Sequence, residues 1–123
     1  GARLIITNSY SSIPSYLAKE GLEDRYEELT ALAGQLARKA ADEAKEDVQV
    51  AGSLPPLSES YRPDLVPDDG AARSIYDAMT LALEPYVDLF ICETMSSIRE
   101  SMNACEAAKK AALARSLPVY VSW

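Results

Sequence analysis

Apolar residues in this chain fall into two kinds of run that alternate along it: short unbroken blocks, and longer stretches where they recur every three or four positions. The clearest block is Val87 to Thr94, VDLFICET, in which five of the first six residues are apolar. A strand buried on both faces of a parallel sheet has this pattern, whereas a half-exposed antiparallel strand alternates apolar and polar. Three shorter blocks also have strand length and strand composition: Arg3 to Thr7 (RLIIT), Val48 to Ala51 (VQVA) and Leu117 to Val121 (LPVYV).

Helices are predicted between them. Pro14 suits the first turn of a short helix that Gly21 ends at about Glu20. A longer helix is predicted from about Glu23 to Glu46, with Tyr26, Leu29, Ala33, Leu36, Ala37, Ala40 and Ala44 forming one apolar stripe and the charged residues on the other face. A third spans about Asp69 to Tyr86, with Asp68 and Asp69 placed to cap it and to favour its positive end and Pro85 to stop or kink its last turn, and with Ala72, Ile75, Met79, Ala82, Leu83 and Tyr86 on one side. A fourth opens at Ser97 to Glu100, an S-x-x-E capping-box pattern, and runs to about Arg115 with Ile98, Met102, Cys105, Ala108 and Ala112 inward.

The order β-α-β-α-β-α-β, with helices long enough to cross a sheet, predicts an α/β fold with right-handed parallel crossovers. Strand ends of one polarity then share one rim, where α/β sheets and barrels bind ligands. The polar residues just past each strand are Thr7 with Asn8, Ser53, Glu93 with Thr94, and Ser122. They form a set of hydrogen-bond partners around one carboxylate, Glu93, which can pair with an ammonium group, act as a general base or bind a metal. Leu54 to Gly70, an irregular stretch with four prolines, follows the second strand and would lie over that rim.

Composition narrows the function. With 123 residues the chain is at most one domain, and a net charge of −7 disfavours a nucleic-acid backbone or an anionic membrane surface as partner. No apolar run has the length of a membrane span and no signal pattern opens the chain, so the expected location is cytoplasmic. Absence of histidine removes Ser-His-Asp and Cys-His catalysis and any imidazole zinc site from what this chain does alone. Two cysteines, Cys92 and Cys105, make no disulfide framework and read as small buried apolar groups.

Four segments, LIITNSY, VAGSLPPLSESYRPDL, DLFICETM and LPVYVSW, resemble the homocysteine S-methyltransferase family in order and spacing, across essentially the whole chain. The resemblance implies a (β/α)8 barrel, of which these strands would be the second to the fifth, about half. It implies transfer of a methyl group to the thiol of homocysteine from a sulfonium, ammonium or cobalamin-bound donor, giving methionine. It further implies zinc held by three cysteine thiolates, which favours the nucleophilic form of the substrate sulfur. Glu93 matches the glutamate that binds the amino group of homocysteine, Thr7 and Asn8 match a pair near the bound amino acid, and Ser53 with the following loop would help close the site.

The same resemblance marks departures. The family's zinc cysteines lie beyond the fifth strand and do not correspond to Cys92 or Cys105, so no bound metal is expected here. Four strands cannot close a barrel. The expectation is therefore a partial domain over 1–123, a fragment inactive alone, whose outer strands carry unpaired edges and could self-associate. The alternatives are a non-catalytic open-sheet module that self-associates or binds a partner, and a different barrel enzyme with Glu93 as general base.

Overall fold

The four apolar blocks form four strands in one sheet, and the computed structural model describes all residues 1–123. The strands are β1 (Leu4–Ile6), β2 (Gln49–Leu54), β3 (Leu89–Cys92) and β4 (Val119–Val121), all parallel and in the order β1-β2-β3-β4. Between them run α1 (Pro14–Leu17), α2 (Tyr26–Asp42), α3 (Asp69–Leu83) and α4 (Ile98–Ala112), with short 3-10 turns at several of their ends. This is the expected α/β fold, with the arrangement of a partial TIM-barrel-like segment.

The predicted helix signals act as their chemistry requires. Pro14 is the first residue of α1, and Gly21 ends the following 3-10 turn with φ of 67°, a left-handed conformation that costs glycine little. Asp68 accepts from the amide of Ala71 and so caps α3. Pro85 lies in the 3-10 turn Glu84–Tyr86 that closes α3. The strands are shifted or trimmed by one to three residues at most of their ends, and two of these differences have a clear cause. The last strand begins at Val119 because Pro118 has no N–H to give, though its carbonyl still accepts from Phe90 N at 2.9 Å. The second strand runs through Gly52 to Leu54, because Gly52 is there for close packing and does not break the strand.

Helices α2, α3 and α4 pack against each other on one face of the sheet. Ile5, Val50, Leu54, Phe90, Cys92 and Val119 point into the core they share with Tyr76, Met79, Leu83 and Ala108. Helix α4 meets its neighbours through Ser101, Ala104, Ala107, Ala108 and Ala112, small enough for close approach; Ile98 and Met102, predicted inward, are exposed. On α2 the buried positions are Thr30, Ala33, Gly34 and Ala41, while Leu36 of the predicted stripe is 60% exposed.

The opposite sheet face has no helix over it. Register and alternation place Leu4, Ile6, Ala51, Ser53, Leu89, Ile91 and Tyr120 there. Toward the edge strands this face is open: Leu4, Ile6 and Tyr120 are exposed, and β1 and β4 each pair on one side only. At the amino end of the strands, Asp88 Oδ2 accepts from Val50 N at 2.8 Å and from Arg38 Nη1 at 2.9 Å, joining β2, β3 and α2.

Gly52 provides a test of this packing. A Cβ added there would stand 3.0 Å from Phe90 and 3.1 Å from Val87, both fully buried. Gly52→Ala is expected to destabilise the chain by about 1–3 kcal/mol through overpacking, read as a lower urea midpoint with unchanged slope.

Candidate functional site

The carboxyl ends of β1, β2 and β3 are joined by a chain of hydroxyl groups whose proton positions follow from valence alone. Ser9 Oγ donates to the Ser53 carbonyl at 2.7 Å, which uses its single proton. Thr7 Oγ1 lies 2.8 Å from Ser9 Oγ and must therefore be the donor in that pair. Thr7 Oγ1 in turn accepts from the amide of Ser53 at 2.9 Å. Thr7 and Ser9 are buried, and Ser53 is fully so; every polar atom they bring into the core is thus satisfied.

The remaining hydroxyl, Ser53 Oγ, donates to Glu93 Oε2. Ser53 stands beside Ile91 in the sheet, and Glu93 follows two residues later on the same face, its amide bonded to the Leu54 carbonyl at 3.0 Å. Glu93 is half-buried, Ser53 is its hydrogen-bond partner, and none of the ion pairs in the chain includes it. One oxygen of this carboxylate is thus fixed by a core-anchored hydroxyl, and no lysine or arginine neutralises the group. Such a carboxylate is fitted to hold a cationic group of a ligand.

Next to Glu93, Thr94 adopts φ of 55°, a left-handed conformation that is a real outlier for a β-branched residue and costs on the order of 1–3 kcal/mol. The turn is held by Met95 N donating to the Ser122 carbonyl at 2.9 Å and Ser122 N donating to the Cys92 carbonyl at 2.9 Å, so β4 braces the segment that carries Glu93.

Of the residues singled out in the sequence, Thr7, Ser53 and Glu93 come together in one hydrogen-bonded chain. Asn8 does not join it: it is exposed and lines an apolar groove of about 470 Å³ between β1 and α2, beside Ile6, Leu32 and Leu36. Ser9 was legible only as part of the polar break after the first strand, and its role depends on a contact 44 residues away.

Glu100 is a second residue whose role the sequence hid. Its amide donates to Ser97 Oγ at 3.1 Å, which is half of the predicted capping box. The side chain does not return to Ser97; its Oε1 accepts from Leu57 N at 2.9 Å, beside a Tyr76 hydroxyl that donates to the Pro55 carbonyl at 2.8 Å. With Ser15 Oγ donating to the Leu57 carbonyl at 2.9 Å, these bonds pin residues 55–57 to the top of the sheet, where the loop was expected. Glu100 is 1% exposed and its Oε2 has no partner. Burial raises its carboxyl above the ordinary 4.5, against the lowering by Leu57 N–H, the Tyr76 hydroxyl and Arg99. Burial, and then Glu100, likewise push the Tyr76 hydroxyl far up.

The zinc that the resemblance implies finds no fit among these residues. No group of three or more cysteine, aspartate or glutamate side chains is placed to hold a metal ion, and burial pushes the Cys92 thiol up, away from the thiolate that would ligate. No helix is long and apolar enough to cross a membrane.

Glu100 makes stability depend on pH with a definite sign. Its carboxyl pKa is higher folded than unfolded, so its favourable contribution is complete below 4.5 and is lost as pH rises through the raised value. Glu100→Gln, which keeps the acceptor for Leu57 N without the charge, should gain on the parent as pH rises. Urea midpoints across a pH series check this: a gap between the two that does not widen with pH would contradict it.

No curated protein matches the chain. A family model described as homocysteine S-methyltransferase matches residues 1–123. The segment that carries Glu93 and the segments that order it therefore all fall within one family match, and the chain belongs to the homocysteine S-methyltransferase family.

Proposed function

We propose that this chain is the amino-acid-binding part of a zinc-dependent enzyme that moves a methyl group to the thiol of homocysteine to give methionine. The observation that carries the reading is the Glu93 carboxylate, free of any cationic partner and oriented by Ser53 on the rim of the sheet. Homocysteine brings an ammonium group, and a charge-assisted hydrogen bond from it to Glu93 would fix the amino acid by one end. Glu93 orients substrate in this reading and moves no proton.

The other roles follow from position. Ser53 sets the carboxylate, Thr7 holds Ser53 through its amide, and Asn8 borders the same rim from its exposed place after β1. Residues 54–65 would close over the bound amino acid, from a base pinned by Glu100. The zinc ligands and the methyl-donor pocket would lie outside these 123 residues, within a barrel of which 1–123 is a partial domain. The isolated chain is then inactive, because nothing in it activates the sulfur. The location proposed for the enzyme is the cytoplasm.

The test is homocysteine methylation by the complete barrel carrying Glu93→Gln. Loss of a charge-assisted bond worth about 1.5–3 kcal/mol should weaken use of homocysteine by roughly 10–150-fold in kcat/KM. Unchanged KM and kcat for homocysteine would remove this role from Glu93.

A second reading is favoured by the bare sheet face. Leu4, Ile6 and Tyr120 are exposed and β1 and β4 have free edges, so the 123-residue chain alone would act as a non-catalytic module that pairs with a second copy. Size exclusion with light scattering should give a mass above the 13.4 kDa of one chain. A compact monomer would contradict self-association.

A further inference from the structure

We propose that Cys92 and Cys105 are a peroxide-sensitive modification site, joined on oxidation by a reversible disulfide that ties β3 to α4 one residue before Glu93. Both thiols are free, one at the end of the inner strand β3 and the other midway along α4. Their sulfurs stand 3.7 Å apart, facing each other across the interface of sheet and helix. A disulfide needs about 2.05 Å, so the sulfurs must close by about 1.7 Å to form it.

The two thiols differ in a way that orders the chemistry. Cys105 is half-buried and reachable from solvent, while Cys92 is fully buried. Burial, and then the neighbouring Cys105, push the Cys92 thiol up and keep it protonated, so peroxide meets Cys105 first. The Cys105 thiolate attacks hydrogen peroxide, the O–O bond breaks, and a sulfenic acid forms with release of hydroxide, which takes up a proton to become water. Cys92 sulfur then attacks the Cys105 sulfur; the S–S bond forms, the S–O bond breaks, and the Cys92 proton leaves with that oxygen as a second water. In sum two thiols and one peroxide give one disulfide and two waters, with the sulfurs oxidised and the peroxide reduced. The buried partner also protects the site, since a sulfenic acid trapped beside a thiol is drawn into the disulfide before a second peroxide can overoxidise it.

The position gives the modification a consequence for the rim. The Cys92 carbonyl accepts from Ser122 N at 2.9 Å and the next residue is Glu93, so a bond from Cys92 to α4 anchors the strand end that carries the carboxylate. This inference stands on the sulfur geometry and holds whatever Glu93 binds.

The experiment uses the reduced 123-residue chain, freed of reductant and exposed to hydrogen peroxide. The expected result is a chain lighter by two hydrogens and not covalently joined to another, with neither thiol open to alkylation, a linked peptide pair containing Cys92 and Cys105, and full recovery of both thiols with dithiothreitol. Cys105→Ser, which leaves the buried Cys92 in place, should show no such mass loss. Retention of two alkylatable thiols, accumulation of Cys105 sulfinic acid with Cys92 still free, or linkage between chains in place of within one would each overturn the proposal.

Discussion

The sheet's parallel register in sequence order is the constraint on which everything else depends. Because β1, β2 and β3 run the same way side by side, residues 7, 53 and 93 arrive at one edge although more than 80 positions separate the first from the last. The hydroxyl chain from Ser9 through Thr7 to Ser53 can exist only in that register, and a slip of one residue would turn Ser53 to the helices and leave Glu93 without its donor. Fold and site are therefore specified by the same hydrogen bonds.

The two ends of the sheet divide the work. At the amino end an ion pair and a carboxylate-to-amide bond, Arg38 to Asp88 to Val50 N, lock strand to strand and to α2 with charges that neutralise one another. At the carboxyl end neutral hydroxyls link β1 to β2 and lead to Glu93, which has no counter-charge within the chain, while Glu100 is buried beneath the loop it pins. Charge at one end is spent on cohesion and at the other is left available, the division that α/β barrels show between their stable and their functional faces.

Much of this was legible in the sequence where local chemistry decides the outcome. Unbroken apolar blocks gave the strands, and Gly21, Asp68 and Pro85 marked helix ends by mechanisms that act within a turn. What escaped depends on distance. Ile98 and Met102 were placed inward on an apolar stripe, yet the face that α4 buries lies beside it and runs through Glu100, Ser101, Ala104, Ala107, Ala108 and Ala112, which leaves both in solvent. Glu100 satisfied a local capping pattern so well that its bond to Leu57, 43 residues earlier, was invisible. The second strand, expected to stop at Ala51, continues through Gly52 to Leu54, where Phe90 and Val87 pack against the glycine. Thr7, Ser53 and Glu93 were legible as strand-end residues and through the family resemblance, while the part of Ser9 rests on a pairing no single segment announces.

The left-handed Thr94 carries one more implication, for how this rim can vary among related chains. The short passage from Glu93 to α4 is stitched on both sides, through Leu54 and Ser122, around a backbone conformation that has little freedom to lengthen. Residues 59–65, by contrast, are almost wholly exposed beyond the pinned prolines. Insertions and changes of specificity should therefore accumulate in the outer loop after β2, while the turn after β3 keeps its length.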